Sequence, residues 1–108
     1  MSSNVQNYLN LANAAYQNRS FDEAIRLFGK VVEIDPGNDT ALHNLGVIHD
    51  VARDFGRAER FYRRALQANP ANVATIRNLA SLLFDLGTHD ESRDLYAQLI
   101  ALDADDAD

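Results

Sequence analysis

The 108-residue chain contains no cysteine, so disulfides and thiolate metal sites are both excluded. No apolar run approaches the ~18 residues that a membrane span requires. The stretch from Met1 to Asn10 has neither the basic nor the apolar region of a secretory leader. Positive charge is scarce as well. Ten Lys and Arg against sixteen Asp and Glu leave a net charge of −6, which opposes non-specific binding to nucleic acid or to an anionic membrane surface. Chemistry-bearing patterns are missing too: there is no nucleophile motif, glycine-rich phosphate loop or paired-carboxylate spacing. His43, His49 and His89 contain no His-x-x-x-His pair, so they do not announce a metal site. These absences predict a cytoplasmic, non-enzymatic protein with no cofactor, no metal, no nucleic-acid partner and no membrane insertion.

What the chain does have is a repeat. Shifted by 34 residues, Phe21-Asp22-Glu23-Ala24 aligns with Phe55-Gly56-Arg57-Ala58, and Pro36 aligns with Pro70. Phe28, Tyr62 and Tyr96 share one offset, Leu11, Leu45 and Leu79 another, and Asn10, Asn44 and Asn78 a third. Three units at 5–38, 39–72 and 73–106 fill almost the whole chain, the signature of a solenoid in which each unit leans on its neighbour.

Each unit reads as two helices. Tyr8, Leu11, Ala12, Ala15 and Tyr16 recur at spacings of three and four, one face of a helix. Ser20-Phe21-Asp22-Glu23 and Thr88-His89-Asp90-Glu91 have the form of capping boxes, and Ser3 with Gln6 gives a similar start. Asp35-Pro36-Gly37-Asn38 should end a helix, since proline cannot continue one and glycine tolerates positive φ. The pattern predicts helices near 4–18, 21–34, 38–52, 55–68, 72–86 and 89–103. The acidic stretch Asp103-Ala104-Asp105-Asp106-Ala107-Asp108 should fray, because carboxylates are unfavourable at a helix C-terminus. Ala12, Gly46 and Ala80 on the first helices and Ala24, Ala58 and Ser92 on the second are small enough for close helix approach. The Leu11, Leu45, Leu79 stripe and the three aromatic residues should fill the space around that approach.

These residues resemble the tetratricopeptide repeat family. The second unit carries the pattern as Leu42, Leu45-Gly46, His49, Ala58, Tyr62, Ala65 and Pro70. The first carries Tyr8, Leu11-Ala12, Ala15, Ala24, Phe28, Val31 and Pro36. The third departs most, with Ser92 and with Ala104 where proline is expected. The resemblance implies an all-α solenoid of six antiparallel helices wound as a right-handed superhelix. It also implies a concave groove, lined by the first helix of each unit, that takes a peptide or a partner helix. Mapped onto this chain, the groove would present Gln6, Leu9, Asn10, Asn13 and Gln17, then Thr40, His43, Asn44, Val47 and Val51, then Ala74, Arg77, Asn78 and Ser81. The asparagine ladder can pair with any peptide backbone, because an amide both donates and accepts; alternatively it hydrates the groove or bridges adjacent units. Some family members clamp a C-terminal carboxylate with lysines, an arginine and asparagines. Here Asn13 and Asn44 are kept, but the basic places hold Leu9, Ala74 and Asn78, which predicts a groove without that clamp.

Three further features carry expectations. Arg57, Arg60 and Arg64 fall on one outer face of the fourth helix, and Glu59 can pair with Arg63; without interleaved aromatics this reads as a solvated face rather than a site for an acidic partner or nucleic acid. His49 holds a bulky repeat position and reads as a core residue, while His43 and Asp50 are spaced to form a pH-sensitive pair. The sixth helix has no following helix to cover it. Leu95, Tyr96, Leu99, Ile100 and Leu102 there predict a self-association edge, and hence a homo-oligomer, as the rival to a groove-binding adaptor.

Overall fold

The computed structural model describes the backbone of residues 2–106 and the side chains of residues 4–103. Six helices follow one another: α1 Ser2–Gln17, α2 Phe21–Ile34, α3 Asp39–Val51, α4 Phe55–Ala68, α5 Val73–Asp85 and α6 His89–Asp106. No strand occurs among the described residues. The helices pair as α1 with α2, α3 with α4 and α5 with α6, and the pairs join through α2 on α3 and α4 on α5. The result is an α-solenoid.

Two kinds of turn alternate. After α1, α3 and α5 the chain turns through a left-handed residue: Arg19 at φ 62°, Arg53 at φ 65° and Gly87 at φ 90°. At each of these turns two backbone bonds close the helix end. Ser20 N–H donates to Ala15 O at 2.8 Å, Asp54 to His49 at 2.8 Å and Thr88 to Leu83 at 2.8 Å. The left-handed residues themselves donate to Tyr16, Asp50 and Phe84. These bonds satisfy carbonyls that the last helical turn leaves free. After α2 and α4 the turn is instead a proline turn, in which Asn38 N–H reaches Asp35 O and Asn72 N–H reaches Asn69 O. Gly37 therefore does not take the positive φ expected of it.

The caps also differ from the expected ones. Ser20 makes no side-chain cap bond, and Glu23 pairs with Arg26 instead. Glu91 is drawn away to Arg63 on α4. The Ser3 side chain lies outside the described residues. The side chains that cap are Asn38 on Ala41 N–H, Asp54 on Arg57 N–H and Asn72 on Thr75 N–H. The assigned helix α6 runs past the expected end at residue 103 to Asp106, with Leu99 and Leu102 packed on the core.

The core has two centres, one at each junction between helix pairs. Phe28, Val31, Ala41, Leu45 and Ile48 form the first with residues of α1. Ala58, Tyr62, Ile76, Leu79, Leu83 and Leu95 form the second. The expected small residues sit where helices approach, all fully or almost fully buried. At Gly46 the approach leaves no room for a side chain, since a Cβ there would lie 2.6 Å from the Tyr62 ring. The substituted Ser92 is accommodated because its hydroxyl donates to Ala80 O at 2.7 Å. The leucine stripe is buried at Leu45 and Leu79 only. Among the described residues nothing packs on the outer side of α1, and Leu11 is 57% exposed.

Candidate partner-binding face

The first helices α1, α3 and α5 stand side by side and are linked by side chains. Asn44 Nδ2 donates to Asn13 Oδ1 at 3.5 Å, joining α3 to α1. The His43 Nδ1 and the buried Thr75 hydroxyl share a hydrogen bond at 2.9 Å, joining α3 to α5. Asp39 accepts from both Asn69 and Asn72, tying the start of α3 to the turn before α5.

The residues expected to face a ligand divide into two groups. Asn10, Asn13, Val51, Arg77 and Ser81 are exposed, and Asn44 and Asn78 are half-buried. Leu9 instead packs partly buried on the first core centre and Val47 on the second. His43 is occupied by Thr75 and lies against the Tyr62 ring. The physical reason is helix phase. Leu9 and His43 stand at one place in the repeat, rotated toward the junction with the next helix pair. The amides are partly engaged as well: Gln6 donates to Asn10 at 2.9 Å, and Asn44 is held by Asn13. Of the ladder Asn10, Asn44 and Asn78, Asn44 makes a contact that reaches a neighbouring unit. Phe84 belongs to the exposed set, at 56% exposure, and was not anticipated from sequence. The available signal was an aromatic residue at the repeat position that holds Tyr16 and Asp50 elsewhere.

The His43–Asp50 pair does not form. The Asp50 carboxylate accepts the Tyr62 hydroxyl at 3.1 Å. Burial first, then the Asp50 charge, push the Tyr62 phenol well above its ordinary range, with Asn78 opposing the shift. Burial lowers the pKa of His43, which the Asp39 charge partly offsets. His49 stacks on Phe61 with ring centroids 5.5 Å apart, and burial lowers its pKa too.

On α6, Leu95 is only 7% exposed and belongs to the second core centre, because it faces α5 rather than the open side. Leu99 and Leu102 are partly buried on the same core. The uncovered residues are Tyr96 at 38% and Ile100 at 70%. Leu99 and Ile100 also line a cleft of about 370 Å³ with Val73, Arg77 and Asp103, so Arg77 from the expected groove and two residues of the expected edge share one surface.

On α4 the predicted Glu59–Arg63 pair is present, and Arg63 also grips Glu91 with two bonds of 2.6 and 2.9 Å. That grip lowers the pKa of Glu91 and raises that of Arg63. The arginine face is not free of aromatics, however, since Phe61 lies among Arg57, Arg60 and Arg64. No helix among the described residues is long and apolar enough to cross a membrane. No cluster of three or more His, Asp or Glu able to hold a metal occurs among them either.

Comparison with known proteins decides the family. Two family models, each described as tetratricopeptide repeat, match residues 9–73 and 51–108. The chain belongs to the tetratricopeptide repeat (TPR) family. Among curated relatives it is 32% identical over 83 residues to the uncharacterized protein y4yS of Sinorhizobium fredii, covering 76% of this chain and 46% of that one. It is 26% identical over 77 residues to stress-induced-phosphoprotein 1 of Caenorhabditis elegans, covering 71% and 24%. The chain thus spans less than half the length of these relatives. Among solved structures, MamA superposes with a TM-score of 0.90 at 16% identity, over 95% of this chain and 60% of that one. The first TPR of Spaghetti (RPAP3), bound to the HSP90 peptide SRMEEVD, superposes with a TM-score of 0.87 at 20% identity, over 94% and 81%. At these identities the likeness concerns the TPR fold alone.

Proposed function

We propose that this TPR chain is a non-catalytic scaffold that holds a peptide or a partner helix along α1, α3 and α5. The observation that carries this reading is the mixed surface on those helices. Asn13, Asn44 and Asn78 offer amide donors and acceptors on helices that also expose the apolar Val51 and Phe84, the latter stacked on His89 at 4.7 Å. Amides can pair with a backbone of any sequence, and apolar neighbours add affinity where they are desolvated. The peptide-bound state of the Spaghetti (RPAP3) TPR supports the use of this fold for a peptide. The ligand here is not held by a carboxylate clamp, since Leu9, Ala74 and Asn78 stand at the basic places and leave no charge-assisted bonds.

Peptides selected from a random displayed library against the intact chain test this reading by fluorescence anisotropy. Asn44→Ala with Asn78→Ala should weaken binding about tenfold or more. Peptides that bind this variant as tightly as wild type would show that the face is not used.

A second reading, assembly between copies, rests on Tyr96 and Ile100. Phe28 and Tyr62, the repeat equivalents of Tyr96, are fully or almost fully buried by the next helix pair. Covering Tyr96 and Ile100 removes apolar surface from water in the same way. Sedimentation of wild type should show a larger species that Tyr96→Asp with Ile100→Asp converts to monomer. Wild type that is monomeric throughout rules this reading out.

A further inference from the structure

Half of the chain's ten basic residues lie between Arg53 and Arg64, and three of them converge. Arg57, Arg60 and Arg64 follow one face of α4, about 11 Å from first to last along the helix axis. With Phe61 they line a cleft of about 150 Å³, the volume of about five water molecules. Arg60 and Arg64 differ from the cations that are paired on the helix surfaces. Arg26, Lys30, Arg63 and Arg93 each have a carboxylate partner within their own surroundings. Arg57 contacts Asp54 at 3.4 Å, while Arg60 and Arg64, like Arg19, Arg53 and Arg77, make no ion pair among the described residues. Phe61 contributes a platform, with the Arg64 guanidinium 5.7 Å from its ring centroid. Asp54 caps α4 and tethers Arg57 at once. The Arg64 guanidinium is thus oriented before any ligand arrives, which lowers the ordering cost of binding.

We propose that this cleft binds a phosphate monoester carried on a side chain of a partner protein. A phosphate monoester presents three acceptor oxygens and nearly two negative charges, so it can engage several guanidinium forks at once. A carboxylate has two oxygens and one charge and leaves part of this donor set unmet. A nucleic-acid strand fits poorly. Phe61, the one aromatic platform there, already carries His49 stacked at 5.5 Å and Arg64 over its ring, which leaves no free face for a base to stack on. The arginines also form a short cluster rather than a track along a backbone, within a chain of net charge −6. The site lies on α4, apart from the face formed by α1, α3 and α5, and stands whether or not that face binds a peptide.

The test is a titration of the full chain with acetyl-Gly-phosphoSer-Gly-amide, read through the arginine Nε–Hε NMR signals. The Ser and Glu counterparts of the peptide and a single-stranded oligouridine are titrated in parallel. Saturable shifts are expected at Arg57, Arg60 and Arg64 and not at Arg26 or Arg93. Arg60→Gln with Arg64→Gln should weaken binding about tenfold or more, because two charge-assisted contacts are lost. Arg93→Gln should leave it unchanged. The two mutated side chains are exposed, so an unchanged thermal melt confirms that any loss is local. The proposal is overturned if the phosphopeptide gives no saturable shift, if the Glu or Ser peptide binds equally well, or if oligouridine outcompetes the phosphopeptide at these arginines.

Discussion

Replacing Gly46 by alanine should destabilise the protein, although the repeat itself suggests that the change is harmless. The equivalent positions hold Ala12 and Ala80. In the second unit, however, an added Cβ meets Tyr62 Cδ1 and Cε1 at 2.6 Å and Cγ at 3.2 Å. Carbon atoms prefer separations of about 3.5–4.0 Å, so the ring or α3 must retreat by roughly 1 Å. Tyr62 is poorly placed to retreat. It is 1% exposed, its hydroxyl is held by Asp50, and His43 lies against its ring. Overpacking of this kind costs about 1–3 kcal/mol, and the pinned ring argues for the upper end. Alanine returns about 1 kcal/mol through its better helix propensity. The net expectation is a loss of about 2 kcal/mol, or roughly 10 °C in Tm for a domain of this size. Urea denaturation followed by far-ultraviolet circular dichroism measures it. A cycle with Tyr62→Leu isolates the cause, since without the ring Gly46→Ala should become neutral or stabilising. If Gly46→Ala alone proves as stable as wild type, the steric reasoning fails.

Other outcomes follow from the same structure. Gly29→Ala should stabilise by about 0.5–1 kcal/mol, because nothing lies near its added Cβ and the site is helical, whereas Gly87→Ala should destabilise by about 1–2 kcal/mol because φ is 90° there; chemical melts that give both the same sign would contradict this. Ser92→Ala should change stability by less than about 1 kcal/mol, since it removes a hydrogen bond but Ala80 O lies inside α5 with its helical partner retained. His43 has a folded pKa below its ordinary value of 6.5, so the unfolded chain binds the extra proton first. Its contribution is therefore complete above pH 6.5 and declines as pH falls toward the folded value. In His43→Gln the slope of stability against pH just below 6.5 should flatten, and an unchanged slope would remove His43 as its source. Glu91 acts lower, since Arg63 holds its pKa below 4.5, and its contribution is lost only as pH falls below that value.

The helices and their pairing were legible in the chain alone. Three units of similar pattern reinforce each other, and apolar spacing marks the buried face of each helix wherever a neighbour exists to bury it. The small residues at helix crossings were legible for the same reason. Ends and caps were less so. Ser20 and Thr88 have the right form for capping, but their glutamates found stronger partners in Arg26 and Arg63. A charged pair outcompetes a neutral cap bond, and the Arg63 partner is distant in sequence. The left-handed turns escaped notice because two of the three use arginine, although Gly87 stood at the same offset.

By itself, then, the sequence determined the solenoid: six helices, their order, the family, and a core built at repeating positions. Local periodicity suffices for that, because each unit buries the same positions against the next. Only the tertiary structure decided which side chains remain free. Leu9, His43 and Leu95 turned inward, Leu11, Phe84 and Ile100 stayed outward, and Phe61 entered the arginine cluster. Those outcomes depend on rotation of each helix by a fraction of a turn and on which neighbour is present. A pattern repeated identically along the chain carries no record of either.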